Sequence, residues 1–573
     1  MRYNMFSEFK KMAVILCCLA SGALYAQSQY EVVVKSAFSP VIQDAQKKIN
    51  FPAVITDTGH SRQPVEYDLL IRPLQPAFKP EAIAAPKVGK DRIDRYYRHY
   101  LKAGFGYLQP LLEYDFSTLR SKKQAYGVHL LSHSSFDHVK NSGPSSFSNN
   151  TLALNGQQFG TKFTFHEHVS YDFDLYHCYG YRADSLEKLY QWKQNAGDVA
   201  RYYHHAAVSG GAYTNSTKKL GLMQQYGVSY NFLSDNYHSF EHDARISAKF
   251  DKRLMSSRID FLVVGGSVGG DYLHDHWDST QNKDDAWRLN LNPYVRMAEG
   301  SWNLSLGARF NAGWLNGEAR YALFPDVTFT WNVVPNILSL FTGANGEMKR
   351  LSLYALTREN PFLAPHLEQD FDNSYKFYVG TKTNLSHDLS FGALVEVTNY
   401  SAMPYFMPDT TAIPVTDSVS VALKNTFLLM QSHVLSTDVH LDLSYRYKDA
   451  LKCCLKFDYF SYSAADTVTI YYKPHYQFGV ELFYSLKQKI NVGTQCVLKA
   501  DAYYPEFTAA GVEDKVMKDW IDWSLSAEYN WSKRLHFFMN LNNLLGRSNQ
   551  MYDYYFSERF NCMFGVRYIF GGE

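Results

Sequence analysis

The stretch Arg559–Glu573, RFNCMFGVRYIFGGE, decides the fold. Its apolar side chains recur at every second position, which is the side-chain period of a β-strand. They are Phe560, Cys562, Phe564, Val566, Tyr568 and Phe570, and they alternate with Asn561, Met563, Gly565, Arg567 and Ile569. A half-buried strand of a soluble protein normally hides such an aromatic face in a core. The stretch therefore raises the question of which apolar medium this face meets.

The composition favours a membrane barrel over a soluble protein of several domains. Among 573 residues, aromatic residues make up 16%, with 44 Tyr and 38 Phe, whereas charged residues are only 20%. Transmembrane β-barrels combine an apolar lipid face with a polar lumen, and this mixture suits them. The net charge of +1 and the lack of a basic run give no case for a nucleic-acid partner.

The first 26 residues have the pattern of a secretory signal peptide. Lys10 and Lys11 precede an apolar run from Met12 to about Leu24, and a cleavage site follows Ala26. A membrane anchor is the alternative, although the run is short for a spanning helix. No other segment has the ~18 consecutive apolar residues of a transmembrane helix. The sequence thus predicts a signal peptide over 1–26 and an exported mature chain.

From residue 97 onward, period-2 segments follow one another. Tyr126, Val128 and Leu130 form one apolar face, and Tyr375, Phe377 and Val379 form another. Further examples begin at Val439, Phe478 and Trp523, and the interleaved positions carry mostly charge, amide, hydroxyl or glycine. Counting such segments predicts about 22 strands, beginning near HYLKAGFGY and ending at the quoted stretch.

The connections alternate between short and long. The short ones include SKKQ (121–124), LMSS (254–257), EGS (299–301), SHD (386–388), KDA (448–450), KQK (487–489) and SKR (532–534). The long ones include 138–150, 183–200, 278–287, 357–370, 407–426 and 503–519, which we interpret as polar loops. Tight periplasmic turns opposite long extracellular loops are typical of outer-membrane barrels, whereas a soluble sandwich has no reason to keep this rhythm.

In these features the chain resembles the TonB-dependent outer-membrane receptors over roughly residues 97 to 570. The resemblance implies an all-β, closed antiparallel barrel over 97–573, in the outer membrane of a Gram-negative bacterium, with its aromatic face toward lipid. Phe564, Tyr568 and Phe570 then resemble the C-terminal signal that the barrel-assembly machinery recognises, although GGE follows Phe570 here. Tyr568 and Phe570 are expected in the interfacial aromatic girdle.

The segment 27–96 departs from the family. One stretch resembles a TonB box, a strand able to add to a partner sheet: Glu31, Val32, Val33, Val34, Lys35, Ser36 and Ala37. The alternative is an ordinary strand packed on the barrel mouth. A full plug domain does not fit into this extension, and Pro73, Pro76, Pro80 and Pro86 predict an extended tether. The lumen is then occupied by this segment and the loops, filled or capped by another protein, or open.

Candidate site residues are few. His166 and His168, and also His274 and His276, are spaced so that each pair shares one face of a strand, but two imidazoles are too few for a closed metal site. A role in the polar lumen or at the loop rim is favoured for them and for the adjacent His204 and His205. His274, His276 and Trp277, where a strand enters a long loop, are the candidate ligand-binding residues.

No catalytic fingerprint occurs in a supporting context, so we expect no enzyme, no cofactor and no metal centre. Two of the seven cysteines, Cys17 and Cys18, lie in the predicted signal peptide, which leaves Cys178, Cys453, Cys454, Cys496 and Cys562. These five are odd in number and lack CxxC spacing, so we interpret them as small apolar side chains.

The leading functional prediction is transport or uptake of a solute across the outer membrane. The alternatives are a structural or assembly scaffold for a partner protein and a passive porin. The expected partners are outer-membrane lipid, TonB, the barrel-assembly machinery and, for the scaffold, a protein that fills the lumen or caps the loops.

Overall fold

The computed structural model describes residues 97–572 except 119–120, 191–194, 216–220, 278–281, 417–418, 449, 466–467 and 509–510. The predicted signal peptide (1–26) and N-terminal extension (27–96) lie outside the described residues. The boundaries of these two segments therefore stay predictions.

The described chain is almost entirely strand. In chain order the strands are β1 (Tyr97–Gly106), β2 (Gln109–Ser117), β3 (Gln124–Ser135), β4 (Phe147–Phe159), β5 (Phe163–His177), β6 (Ala200–Thr214), β7 (Leu222–Asp235), β8 (Phe240–Leu254), β9 (Phe261–Trp277), β10 (Asn282–Glu299), β11 (Trp302–Leu315), β12 (Glu318–Val334), β13 (Leu338–Lys349), β14 (Asp372–Asn384), β15 (Leu389–Pro408), β16 (Ala412–Thr416), β17 (Val419–Ala422), β18 (Phe427–Tyr447), β19 (Leu451–Ala464), β20 (Tyr476–Leu486), β21 (Ile490–Ala500), β22 (Tyr503–Thr508), β23 (Gly511–Val516), β24 (Trp520–Asn530), β25 (Leu535–Asn542), β26 (Gln550–Tyr552), β27 (Tyr555–Phe556) and β28 (Asn561–Gly572).

The strands form one closed antiparallel barrel. Twenty-two of them make a single sheet in chain order, and the other six form the small hairpins β16–β17, β22–β23 and β26–β27 within loops. The quoted stretch, β28, pairs with β1, so that Phe570 lies opposite His99 and Phe564 opposite Phe105. Closure leaves no unpaired edge, which is the condition for a sheet to cross lipid. The predicted fold and strand number are confirmed.

The wall has an apolar outer face. Phe564 is 56% exposed and its partner Phe105 is 66% exposed, whereas the adjacent Met563 is buried. Other predicted outward positions are also exposed: Tyr126, Leu130, Tyr375, Phe377, Val379, Leu441, Tyr445, Tyr484, Trp523 and Tyr529. Opposite-charge pairs occupy the alternate, lumen-facing positions, such as Arg288 with Asp271 and Arg309 with Asp326. The period-2 pattern therefore separates a lipid face from a charged lumen.

The two ends of the barrel differ, as the alternating connections predict. At one end, which we call the turn end, every connection is short, for example 300–301 and 385–388. At the other, the loop end, several connections are long, although 107–108, 236–239 and 316–317 are tight turns. The prediction of a long loop over 278–287 is wrong, because β10 begins at Asn282, directly opposite Trp277 of β9. Both strands carry His, Asp or Lys residues at their loop ends, and such a polar sequence resembles that of a loop, which is why the strand was not predicted there.

The helices are short and lie in the long loops. Helix α1 covers Ala183–Tyr190, a 3₁₀ turn covers Ala196–Val199, and helix α2 covers Leu353–Glu359. Within the described residues, no helix has the length and apolar character needed to cross a membrane.

Candidate functional site: a loop layer at the barrel mouth

Six loop-end connections contribute to one shared hydrophobic core, and we call their described residues the loop layer. The connections are 136–146, 178–199, 350–371, 409–426, 465–475 and 543–560. The core includes Val139, Cys178, Tyr179, Tyr181, Leu186, Val199, Leu353, Leu356, Phe362, Leu363, Leu367 and Tyr555, together with strand-end residues such as Tyr203, Leu233, Trp277 and Phe427. The interpretation of the loops as polar is therefore wrong. Their apolar residues do not alternate as in the strands of the wall, and they pack against other loops and against the ends of the strands.

Phe362 lies at the centre of this core. Its ring stacks on Tyr555 with 4.0 Å between centroids and meets the edge of Tyr179 at 5.8 Å. The backbone N–H of Phe427 donates to the carbonyl of Phe362 (2.9 Å), and the N–H of Ala364 donates back to the carbonyl of Phe427 (2.8 Å). The ring of Phe362 therefore joins the connections 178–199, 350–371 and 543–560, and the backbone hydrogen bonds to Phe427 join 350–371 to the start of β18.

The connection 350–371 crosses the mouth. It leaves β13 and returns on β14, yet the carbonyl of Pro361 accepts from the hydroxyl of Tyr203 on β6 (2.8 Å). The carbonyl of Glu359 accepts from Tyr552, in the connection before β28 (3.2 Å). Tyr203 lies on a wall strand and Tyr552 in the connection before β28, and β6 and β28 are far from β13 and β14 around the ring of 22 strands. A segment that reaches both must span the opening.

Buried charges fix this connection to the wall. The guanidinium of Arg350, whose side chain is 4% exposed, pairs with Asp275 on β9 (3.0 Å) and with Asp284 on β10 (2.7 Å). The buried carboxylate of Glu241 on β8 accepts from the backbone N–H groups of Leu353 and Tyr354 (3.4 Å). These backbone N–H groups have no acceptor within the helix, so the side chain of Glu241 satisfies them and holds the start of helix α2 against β8.

A cavity of about 620 Å³ lies where the loop layer meets the ends of β4, β5, β21, β24, β25 and β28. Aromatic and charged side chains line it together, including Phe147, Tyr176, Phe362, Tyr472, Trp520, Lys499, Lys518, Arg559, Glu359, Asp501, Asp522 and Glu558. Pockets of ~300–1,000 Å³ with apolar walls and a few polar groups are typical of small-molecule sites. The chemistry of this cavity suits an organic solute with both aromatic and charged parts.

Two loop residues have shifted titration. Burial raises the pKa of Asp553 to about 6, although Lys424 and Arg182 oppose the shift. Burial also raises the pKa of the Cys178 thiol to about 11, which makes this cysteine unreactive at neutral pH. The layer therefore contains a carboxyl group that changes its charge near neutral pH.

The structure divides the predicted ligand residues between two faces. His274 and His276 share the outward face of β9 with Val264 and Val268, and the ring of His274 pairs with Asp285 (2.8 Å). Trp277 has the opposite parity and is buried in the loop layer, 6.1 Å from the ring of His366. A ligand at Trp277 cannot also meet the two histidines. The sequence already contained the relevant signal: Val264 and Val268 have the same parity as His274 and His276, so their apolar side chains place the two histidines on the outward face.

The other histidines follow the same parity rule. His166 and His168 lie on the lumen side of β5, opposite in parity to the exposed Phe165 and Val169. His204 points outward and bonds the hydroxyl of Tyr171 (2.8 Å). His205 is buried on the lumen side beside Asp172 (3.1 Å).

The remaining predicted residues fall at the seam of the barrel or outside the described chain. Phe564 and Tyr568 face outward on β28, and Phe570 stacks on His99 of β1 with 4.7 Å between ring centroids. Their recognition by the assembly machinery stays a prediction. The TonB-box-like residues Glu31 to Ala37 lie outside the described residues.

The loop aromatics were missed by sequence reasoning. Phe362, Tyr552 and Tyr555 carry the core of the loop layer, and they occur in the runs NPFLAP and YDYYF. Clusters of aromatic residues next to proline or tyrosine inside a supposed polar loop were the available signal. Which loops meet each other depends on barrel closure and cannot be obtained from the spacing.

The chain matches no protein-family model and no curated protein. Its fold is similar to that of solved structures at low identity. The siderophore receptor PirA from Acinetobacter baumannii is 11% identical, with a TM-score of 0.63 over 84% of this chain and 81% of that chain. The FrpB iron transporter from Neisseria meningitidis is 10% identical, with a TM-score of 0.62 over 83% and 82%. The ferric-catecholate import receptor Fiu from E. coli K12 is 8% identical, with a TM-score of 0.60 over 83% and 82%.

These likenesses confirm the resemblance of the barrel to that of TonB-dependent receptors. With its closed ring and apolar outer face, the chain is an outer-membrane β-barrel that contacts lipid.

Proposed function

We propose that this outer-membrane barrel takes up a small organic solute, that the cavity beneath the loop layer binds it, and that the loop layer is the gate. The observation that carries the proposal is the loop layer itself, which spans the mouth and borders a cavity of about 620 Å³. A passive porin works by diffusion through an open channel, which a mouth closed by an aromatic core would block.

The similar structures support uptake as the class of function. PirA, FrpB and Fiu are by their names a siderophore receptor, an iron transporter and an import receptor. The solutes in these names are those of the three similar proteins and do not identify the solute of this chain. For this chain, the cavity lining indicates only a solute with aromatic surface and mixed charge.

Energy for opening the layer would come from TonB acting on Glu31 to Ala37. Val32, Val33 and Val34 within this stretch are β-branched, and such a run is able to add as a strand to a partner sheet. Strand addition uses backbone N–H groups, and proline has none. Val33→Pro should therefore abolish uptake, and Val33→Thr, which keeps the backbone donor and β-branching, should preserve it.

The experiment compares cells that express the wild-type chain, Val33→Pro or Val33→Thr with cells that lack the chain. Mass spectrometry of the medium identifies solutes whose depletion requires the wild-type protein. We expect Val33→Pro to lose that depletion while the barrel reaches the outer membrane in normal amount. Equal depletion by both variants would exclude TonB-driven uptake through this segment, and no depleted solute at all would contradict uptake.

A further inference from the structure

A cluster of potential metal ligands lies on the lumen wall below the loop layer. Glu396 on β15 and Asp438 and His440 on β18 each bring one ligand atom into a group whose members are all within 4.8 Å of one another. Their parity is opposite to that of the outward-facing Val395 and Leu441. All three side chains therefore face the lumen, where water and ions have access.

The imidazole of His440 is held in the orientation that metal-binding histidines adopt. Its Nδ1 lies 2.7 Å from Oδ1 of Asp458 on β19, and its Nε2 lies 4.0 Å from Oε2 of Glu396. When the Nδ1–H donates to Asp458, the lone pair of Nε2 points toward the carboxylates of Glu396 and Asp438. A carboxylate behind the ring fixes the tautomer and raises the basicity of the ligating nitrogen.

The spacing favours an ion between these groups. A lone pair and two carboxylates do not attract one another, and 4.0 Å is too long for a hydrogen bond. Nitrogen and oxygen ligands lie ~2.0–2.2 Å from a tetrahedral zinc ion and therefore about 3.4 Å from one another, so the 4.0 Å between Nε2 and Oε2 needs only a small side-chain rotation to close around the ion. One imidazole and two carboxylates are ligands that divalent transition metals accept.

We propose that Glu396, Asp438 and His440 bind a divalent transition-metal ion of the zinc class in the lumen, with Asp458 as the positioning residue. Three protein ligands leave a coordination position open to water or to a passing solute. The inference goes beyond uptake and does not rest on it.

Lys376 competes with the metal. Its Nζ lies 3.1 Å from Oε2 of Glu396, and its positive charge opposes a cation at the same oxygen. Removing this charge should strengthen metal binding. We therefore expect Lys376→Met to bind the metal ion more tightly than the wild type, and a misfolded variant could not produce that result.

A second cluster provides a control within the same chain. Glu113, Asp115 and His129 also bring their ligand atoms within 4.8 Å of one another on the lumen wall. There, Nδ1 of His129 bonds to Asp115 itself (2.7 Å), so the carboxylate that orients the ring is one of the three ligands. This cluster lacks a separate positioning carboxylate for His129 among the described residues, and we expect it to bind zinc more weakly.

The test uses the full mature chain without an affinity tag, purified in detergent and stripped of metal with a chelator. Zinc is titrated by calorimetry, and cobalt is titrated by its visible absorption, which reports nitrogen and oxygen ligation. We expect one high-affinity ion per chain and the loss of that ion in His440→Gln. We expect roughly 10–100-fold weaker binding in Asp458→Asn, tighter binding in Lys376→Met, and no change of the high-affinity site in His129→Gln.

Three results would overturn the proposal: no zinc bound by the wild type, equal affinity in His440→Gln, or loss of the ion in His129→Gln. Circular dichroism checks that each variant keeps the β-sheet signal of the wild type. A drop in affinity in Lys376→Met would also count against it, because it would mean that the lysine supports the bound species.

Discussion

The wall and the loop layer of this barrel are stabilised by different interactions. The wall is a ring of backbone hydrogen bonds whose register shifts on β12 and β15. Its lumen face carries ion pairs such as Lys456 with Glu481, both about half exposed. The loop layer has only short helices and hairpins, and it depends on an aromatic core around Phe362 and on the buried Arg350. The wall therefore tolerates side-chain changes that would open the layer, and this difference makes the layer the part that can move.

The largest effect is expected from the core of the layer. Leu363 is fully buried and Phe362 nearly so, and each truncation to alanine of such a residue costs roughly 2–5 kcal/mol. Phe362→Ala combined with Leu363→Ala should expose residues 350–371 to hydrogen exchange while the strands stay protected. Phe483→Ala, a half-exposed phenylalanine of β20, serves as the wall control. Equal protection of the loop in both variants would contradict the proposed division.

A smaller effect is expected at the anchor. Arg350→Met leaves the buried Asp275 and the partly buried Asp284 without their cation, and breaking a buried pair costs about 3–5 kcal/mol. Lys456→Met removes an exposed wall pair, which contributes only about 0–1 kcal/mol. Limited proteolysis at 350–371 should be faster only in the first variant. The same cleavage rate in both would show that Arg350 does not hold the layer.

The start of helix α2 offers a finer comparison between the two ends of the barrel. The hydroxyl of Ser352 accepts from the N–H of Ala355 (3.2 Å), and removing such a cap costs ~1 kcal/mol. Ser386 makes a similar contact with the N–H of Leu389 in a turn at the other end (3.1 Å). Hydrogen exchange of α2 should speed up about fivefold in Ser352→Ala, as ~1 kcal/mol implies, and should not change in Ser386→Ala.

The smallest effect is a dependence on pH. The pKa of Asp553 is raised from 3.8 to about 6 in the folded layer, so protonation stabilises the layer. This contribution is fully present below pH 3.8 and is lost as the pH rises through about 6. The neutral Asp553→Asn should remove this part of the pH dependence and slow loop exchange at neutral pH. An unchanged profile would mean that the carboxyl group does not titrate in this range.

The barrel could be predicted from the sequence because one physical rule governs all of its strands. Lipid outside and water inside force period 2, so the alternation of Phe564, Val566 and Tyr568 was enough to identify a lipid face. The same parity, applied to Val264 and Val268, would have turned His274 and His276 outward. The length of the β9–β10 connection was missed because polarity at a strand end does not distinguish a strand from a loop.

The candidate site could not be predicted in the same way. Phe362, Phe427 and Tyr555 are far apart in the sequence and meet only because the closed ring brings their connections together over the mouth. No local spacing encodes such contacts. The ligand group at Glu396 also needs a register, because Asp438 lies opposite Glu396 and Asp458 lies opposite His440 only in the assembled sheet.

The central claim is that the loop layer closes the mouth, and single-channel conductance tests it most directly. The barrel without residues 27–96 is compared in planar bilayers with and without the Phe362→Ala and Leu363→Ala changes. We predict that the truncated barrel with an intact layer stays silent and that the same barrel with the altered layer conducts. A large conductance through the truncated barrel with its layer intact would contradict the account.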